Sequence, residues 1–208
     1  MENKKLIAFD LYDTCIHHPK NLTSYKKIFE DWNVPKETIN ELREILQKKP
    51  INIEDANFDI PNELITNINA LTEKNIQWTV LYPETLDTLE YLKSKWYKIA
   101  VVSNLAQKYE KPLRDLFPQW IFDYEALSFK VWELKPNPWI FEYLRDISWI
   151  DFKDMAMIWD KENIDIQWAQ NVWIDWIQID RTMKWWDIRY ERDFIKISTL
   201  SALKKLFK

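Results

Sequence analysis

A chain of 208 residues has room for one α/β domain with an insertion, and its net charge of -4 comes from acidic and basic residues that are interspersed along the chain. No block of positive charge indicates a nucleic-acid or membrane surface, no apolar run approaches the roughly 20 residues that span a bilayer, and no signal-peptide pattern opens the chain. We therefore expect a cytoplasmic protein, and the single cysteine, Cys15, which cannot form an internal disulfide, agrees with a reducing compartment. No pattern indicates an oligomeric state.

The first 80 residues predict one strand followed by helices. Residues 5–9 form a short apolar run that ends at Asp10, the pattern of a buried strand. Pro35 and Pro61 mark two helix starts, and residues 51–60 predict a loop. Apolar residues recur at helical spacing in residues 21–30, 36–47 and 62–73.

From Tyr82 onward, helices alternate with short apolar strands, which is typical of a parallel sheet with crossover helices. The predicted helices are residues 83–95, 107–117, 138–147, 164–172 and 200–207. The predicted strands are residues 99–103, 124–128, 155–158, 177–179 and, weakly, 194–197. We therefore predict an α/β fold, a Rossmann-like parallel sheet flanked by helices. Residues 1–15 and 81–208 form this core, and residues 16–80 form a small all-helical cap insertion.

The counts of glycine and tryptophan are abnormal, with 0 Gly and 13 Trp. Average usage predicts roughly 15 glycines in a chain of this length. Trp96 lies between a predicted helix and a predicted strand, where glycine commonly ends a helix, and Trp173, Trp176, Trp185 and Trp186 have similar loop contexts. Thirteen genuine tryptophans would not explain the absence of glycine. We therefore hypothesise that these positions are glycine in the organism, encoded by a reassigned codon.

Polar residues with catalytic potential occur at four places along the predicted core. Parallel strands present their carboxyl ends at one edge of the sheet, where ligands bind in open α/β folds. The residues are Asp10 and Thr14, Ser103 and Asn104, Lys135 and Pro136, and Asp160 with Asp165. A carboxylate nucleophile, donors for phosphoryl oxygens and hard oxygen ligands for Mg2+ suit attack on a phosphoryl centre.

The order of these motifs resembles the haloacid dehalogenase-like (HAD) hydrolase superfamily. The motifs are FDLYDT at 9–14, VVSN at 101–104, KPNP at 135–138, and MIWD at 157–160 followed by Asp165. The resemblance covers nearly the whole chain and places the helical insertion as a cap that follows the first motif. It implies a hydrolase that acts on a small-molecule substrate, most simply a phosphate ester, with no nucleic-acid or membrane partner.

The resemblance also implies a role for each motif residue. Asp10 is the nucleophile that forms a covalent aspartyl intermediate, and Thr14 supports its loop. Ser103 hydrogen-bonds the transferred group, assisted by the backbone around Asn104. Lys135 offsets negative charge on Asp10 and the substrate.

The implied cofactor is Mg2+. Asp160 and Asp165 would hold it together with Asp10 and the backbone carbonyl of Tyr12. In this family the last motif usually has glycine before its first aspartate, and here Trp159 stands there. An indole would crowd the crevice, so the resemblance supports the glycine hypothesis. Trp96, Trp132, Trp168 and Trp173 also fall where the family commonly has glycine.

Tyr12 departs from the phosphatase pattern and leaves alternatives open. Phosphatases of the family usually place a second aspartate there, which protonates the leaving group and then activates water. A phenol with an ordinary pKa near about 10 can donate a proton but is poorly matched to that cycle. Haloacid dehalogenases carry tyrosine at this place and need no metal, so 2-haloacid dehalogenation is an alternative activity. A non-catalytic binding or regulatory protein of the same fold is another.

Overall fold

The fold is described here for residues 1, 3–18, 25–160, 174–184 and 187–208 of a computed structural model. The strands are β1 (Leu6–Phe9), β2 (Ile16–His17), β3 (Val80–Leu81), β4 (Lys98–Ser103), β5 (Tyr124–Leu127), β6 (Met155–Trp159), β7 (Asp175–Ile179), β8 (Ile188–Tyr190) and β9 (Ile195–Ile197). The helices are α1 (Tyr25–Asp31), α2 (Lys36–Lys48), α3 (Asn62–Trp78), α4 (Thr85–Ser94), α5 (Lys111–Leu116), α6 (Ser128–Val131), α7 (Pro138–Ser148) and α8 (Leu203–Leu206). The helix predicted at residues 164–172 lies outside the described residues.

One mainly parallel sheet organises the core in the order β5-β4-β1-β6-β7-β9-β8. Adjacent strands are parallel except β8 and β9, which pair antiparallel at one edge. The predicted α/β class is therefore confirmed. Strand β8 was not predicted because it is short and two of its three residues are exposed, so it lacks an apolar run.

The sheet is covered on both faces, which explains why its central strands are continuously apolar. In β1, Ile7 and Phe9 join one large apolar cluster, whereas Leu6 and Ala8 join a second cluster. All four residues are buried. Because alternate side chains of a strand point to opposite faces, these two clusters are the two hydrophobic layers of the core.

The predicted core helices that fall within the described residues are present with local differences. The stretch 107–117 is divided into a 3-10 turn, Gln107–Glu110, and the short α5. Pro112 lies in the first turn of α5, where its missing N–H is tolerated. The stretch 200–207 likewise begins as a 3-10 turn, Leu200–Ala202, before α8. The strand predicted at residues 124–128 ends at Leu127, because the one-turn helix α6 begins at Ser128.

The predicted cap contains α1, α2 and α3, and it has an apolar cluster of its own. Phe29, Leu42, Ile53, Leu64 and Ile68 form that cluster. Strands β2 and β3, at the two ends of the predicted cap segment, pair with each other in an antiparallel direction. Sequence periodicity did not reveal these two-residue strands. The exact division at residues 16–80 stays a prediction, and no helix of the described chain is both long and apolar enough to cross a membrane.

Candidate active site

Asp10 lies at the carboxyl edge of the central strand β1. Phe9, the residue before it, pairs with Val101 of β4 on one side and Ile158 of β6 on the other. The backbone N–H of Asp10 donates to the carbonyl of Ile158 at 2.9 Å. Since both neighbouring strands are parallel to β1, their ends converge on this residue. The predicted nucleophile therefore lies at the centre of the catalytic edge expected for an open sheet.

Two other predicted residues contact the Asp10 carboxylate directly. The Ser103 hydroxyl donates to Oδ1 at 2.8 Å, and the backbone N–H of Leu11 donates to the same oxygen at 2.7 Å. Lys135 Nζ lies 2.9 Å from Oδ2. Asp10, Ser103 and Lys135 are all buried. The tertiary structure thus brings together three residues that are as far as 125 positions apart in the sequence.

Asn104 fixes the backbone that carries Lys135. Its side-chain Oδ1 accepts a hydrogen bond from the Lys135 backbone N–H at 2.7 Å, and its Nδ2 donates to the Lys135 carbonyl at 2.8 Å. These two bonds tie the end of β4 to the loop before α7. The Asn104 side chain therefore fixes the position of Lys135, a contact that the sequence did not indicate.

The Tyr12 phenol is directed toward the junction of core and cap. Its hydroxyl donates to the Tyr109 carbonyl at 3.4 Å, and its ring lies 5.0 Å from the His18 ring, measured between centroids. Burial raises the pKa of the Tyr12 phenol far above its ordinary value. A phenol that holds its proton so firmly is a weak acid and a poor base for turnover near neutral pH.

A cavity of about 90 Å3 opens in front of Asp10, and we call it the nucleophile cavity. It is lined by Asp10, Tyr12, Asp13, Arg43, Gln47, Ser103, Asn104, Lys135, Trp159 and Asp160. Arg43 and Gln47 come from α2 of the cap, and sequence reasoning assigned them no role. Their spacing of four residues places both on one face of the helix, but nothing local indicates what that face approaches.

A second cavity of about 360 Å3 adjoins the first, because Asp13 and Asp160 line both. Its other lining residues are Tyr82, Gln178, Ile179, Asp180 and Arg181. The Arg181 guanidinium stacks 3.3 Å from the centroid of the Tyr82 ring and donates to Glu84 and to the Thr14 carbonyl, both at 2.7 Å. Thr14 is completely buried, and this bond ties its backbone to Arg181. The supporting role that the family resemblance implies for Thr14 stays a prediction.

The comparison with known protein families agrees with this geometry. Residues 7–179 match the model of the haloacid dehalogenase-like hydrolases. The chain belongs to this family. It is therefore a hydrolase with the HAD fold.

Curated relatives of this HAD hydrolase include two phosphatases. A phosphoglycolate phosphatase of Aliivibrio fischeri is 27% identical, with 81% of each chain covered. A glyceraldehyde 3-phosphate phosphatase of Methanothermobacter thermautotrophicus is 28% identical, with 97% of this chain and 99% of the relative covered.

Solved structures share the fold at lower sequence identity. A 2-haloacid dehalogenase from Pseudomonas syringae superposes with a TM-score of 0.64 at 23% identity, covering 98% of this chain and 97% of the other. A HAD family enzyme from Bacteroides thetaiotaomicron, in complex with magnesium and inorganic phosphate, gives a TM-score of 0.61 at 20% identity, covering 88% of this chain and 97% of the other. These likenesses establish the architecture.

Three of the four residues expected to hold a metal contribute to the lining of the nucleophile cavity. Asp10, Tyr12 and Asp160 all line it, and Asp160 directly follows β6. Carboxylate and carbonyl oxygens are the ligands that Mg2+ prefers, so the donor set fits the ion. Asp165, the fourth predicted ligand, lies outside the described residues.

Trp159 forms part of the wall of the nucleophile cavity beside Asp160. Its side chain is buried, Lys135 Nζ lies 4.1 Å from the centroid of its ring, and the Trp176 ring lies 5.2 Å away. The Nε1 atoms of both indoles are buried without a hydrogen-bond partner. Trp176 belongs to β7, so the loop context predicted for it is wrong. Trp168, Trp173, Trp185 and Trp186 lie outside the described residues.

Proposed function

We propose that this HAD hydrolase is a Mg2+-dependent phosphatase that acts on a small phosphorylated metabolite through an aspartyl-phosphate on Asp10. The observation that carries the proposal is the buried Asp10 carboxylate with Ser103 at 2.8 Å and Lys135 at 2.9 Å. This arrangement supplies a nucleophile, a hydrogen-bond donor and a positive charge in one small cavity. The two phosphatases among the relatives support the same class of substrate.

The proposed reaction has two displacement steps. In the first, a carboxylate oxygen of Asp10 attacks phosphorus, and the bond between phosphorus and the ester oxygen breaks. In the second, water attacks the phosphorus of the aspartyl-phosphate, the acyl phosphate bond breaks, and Asp10 is regenerated as inorganic phosphate leaves. Lys135 and Ser103 bind phosphoryl oxygens, and Lys135 offsets the charge that accumulates there.

Each step also requires the transfer of one proton, and Tyr12 is poorly suited to this because its phenol is partly buried, has a raised pKa and is bonded to the Tyr109 carbonyl. Asp13 is exposed and lines both cavities beside Asp10. Its backbone is left-handed, with a φ of 61°. We assign to its carboxyl group the proton donated to the leaving oxygen and the proton later accepted from water.

Asp10, the Tyr12 carbonyl, Asp160 and Asp165 are the proposed holders of Mg2+. The ion supplies positive charge that favours the approach of the phosphoryl group to a carboxylate. The magnesium and phosphate bound to the Bacteroides thetaiotaomicron enzyme support this choice of cofactor.

The test is phosphate release from phosphoglycolate and glyceraldehyde 3-phosphate, with Mg2+ and with EDTA. It should be run on the full chain in two forms, one with the thirteen tryptophans and one with glycine at those positions. Release that depends on Mg2+ is expected in the glycine form. Absence of release from these and from a broad panel of phosphate esters, by a folded protein, would contradict the proposal.

Hydrolytic dehalogenation is the second candidate, and it is favoured by the environment of Tyr12. A halide leaves without a proton, so a site whose residue 12 is a poor acid could still use Asp10 to displace it. Incubation with 2-chloropropionate in EDTA separates the two activities. Halide release under these conditions, without phosphatase activity, would assign the enzyme to this second class.

A further inference from the structure

Arg43 is a cation of the nucleophile cavity that the proposed chemistry does not use. Its side chain reaches the cavity from α2 and is exposed. Four other arginines form ion pairs with carboxylates: Arg114, Arg145, Arg181 and Arg189. Among the described residues, Arg43 has no ion pair or hydrogen bond. Its guanidinium group is therefore available to a ligand.

The core holds α2 in place near Arg43. The Ser128 hydroxyl donates to the Gln47 carbonyl at 2.6 Å, and Lys48 Nζ lies 3.7 Å from an oxygen of Glu133. Gln47 is one turn after Arg43 and lines the same cavity. The end of α2 is thus docked on the core, and Arg43 approaches the nucleophile from the side of the cap.

Arg43 is placed to bind a different part of the substrate from the one that Lys135 and Ser103 bind. Lys135 and Ser103 already contact the Asp10 carboxylate from the core, and in the proposed reaction they bind the transferred phosphoryl group. Arg43 comes from a different element, so it meets the part of the substrate that faces the cap. A guanidinium binds a carboxylate through two parallel hydrogen bonds, and a cavity of about 90 Å3 admits only a short molecule beside the phosphoryl group.

We infer that Arg43 binds a carboxylate on the substrate and thereby selects phosphomonoesters of short hydroxy acids. This inference rests on the proposed phosphatase activity and narrows it. It favours a substrate of the phosphoglycolate kind over one of the glyceraldehyde 3-phosphate kind, because the aldehyde group carries no charge for Arg43 to pair with.

The decisive quantity is the ratio of kcat/KM for phosphoglycolate to kcat/KM for ethyl phosphate, which lacks the carboxylate. Arg43→Met removes the charge and keeps most of the stem, and it should lower this ratio by roughly tenfold to a hundredfold, mainly through KM for phosphoglycolate. Arg43→Lys should retain part of the preference, because an ammonium is a point charge without the fork. Lys36→Met removes one positive charge from the exposed start of the same helix and should leave the ratio unchanged.

A second measurement keeps this test separate from that of the phosphatase activity. Calorimetric binding of phosphoglycolate to Asp10→Asn, with and without Arg43→Met, reports recognition without turnover. Weaker binding of phosphoglycolate, but not of ethyl phosphate, would support the inference even if no ester were hydrolysed. An equal loss for both ligands, or a wild-type enzyme indifferent to the carboxylate, would overturn it. A strong preference for ethylene glycol bisphosphate would assign Arg43 to a second phosphate and would also overturn it.

Discussion

Lys135 and Asp10 form a buried ion pair, with Nζ 2.9 Å from Oδ2 and side chains that are 1% and 11% exposed. Burial removes both charges from water, and their attraction offsets much of this cost without necessarily adding stability. The pair therefore has a clearer value in catalysis, because it keeps a carboxylate and a positive charge together where a phosphoryl group would react. Neither residue can be changed alone without leaving its partner buried and uncompensated.

Breaking this pair should destabilise the fold, whereas removing both charges should restore part of the loss. Lys135→Met leaves the Asp10 carboxylate without its cation, and we expect the free energy of unfolding to fall by about 3 kcal/mol. The double variant Asp10→Asn/Lys135→Met should be more stable than Lys135→Met. Urea unfolding of the wild type, Asp10→Asn, Lys135→Met and the double variant measures the coupling energy between the two charges. A double variant with the summed loss of the two single variants would show that the charges do not interact.

Asp10→Asn should reduce turnover by at least roughly 1,000-fold, since an amide is not a nucleophile for phosphorus or for a carbon–halogen bond. The amide keeps the shape of the side chain, so circular dichroism should show an unchanged fold. Product release measured in a single-turnover assay distinguishes loss of chemistry from loss of binding. Retained activity would remove Asp10 from the nucleophile role in either proposed reaction.

A change at Asp13 should reduce phosphatase activity far more than a change at Tyr12. Tyr12→Phe removes a hydroxyl that is bonded to the Tyr109 carbonyl, and kcat should stay within about twofold. Asp13→Asn should slow ethyl phosphate hydrolysis by roughly 100-fold and affect nitrophenyl phosphate much less, because the nitrophenolate leaves without a proton. If Tyr12→Phe instead greatly lowered kcat for ethyl phosphate but not for nitrophenyl phosphate, the Tyr12 phenol would be the proton donor.

Acid should remove the stabilisation that Glu84 gains from Arg181. Burial works to raise the pKa of Glu84, but hydrogen bonds from Arg181 and Leu200 outweigh it and leave the pKa below its usual 4.5. The folded state therefore binds fewer protons, and the stabilisation is present above pH 4.5 and is lost as the pH falls through the folded-state pKa.

The measurement is urea unfolding of the wild type and Glu84→Gln from about pH 3 to about pH 7. The wild type should be the more stable protein at neutral pH, and the difference should shrink below pH 4.5. Glu90→Gln, at an exposed position of the helix that begins just after Glu84, controls for the loss of a surface carboxylate. A difference that grows on acidification would contradict the expected sign.

Replacing tryptophan by glycine should stabilise the fold at positions where the backbone is left-handed. Trp96, Trp132 and Trp149 have φ values of 68°, 67° and 58°, and the last two end α6 and α7. The indoles of Trp96 and Trp149 are 92% and 93% exposed, so little packing is lost on their removal. Each change to glycine should raise the free energy of unfolding by about 1 kcal/mol.

Trp139→Gly is the matched control, because Trp139 is also largely exposed but lies within α7. Glycine there should destabilise by about 0.5–1 kcal/mol. The source DNA gives an independent answer to the glycine hypothesis. UGA at position 159 and the other twelve positions is expected, and UGG throughout would refute the reassignment.

Local sequence patterns were sufficient for much of the architecture. The apolar run before Asp10 and the alternation after Tyr82 predicted β1 and the parallel sheet, because side-chain periodicity depends on neighbouring residues. Two-residue strands such as β2 and β3 contain too few residues to show a period. The order of the four motifs similarly placed Asp10 and Ser103 at the ends of two strands that parallel pairing brings together, and Lys135 in the loop ahead of a helix.

The sequence by itself determined the fold class, the family and the residues of the core that surround the nucleophile. Only the tertiary structure showed that Arg43 enters the cavity, that Arg181 holds the Thr14 loop, and that the Tyr12 hydroxyl binds the Tyr109 carbonyl. The two hydrogen bonds join residues that are 97 and 167 positions apart in the sequence. They depend on how the cap and strand ends pack, which no local periodicity encodes.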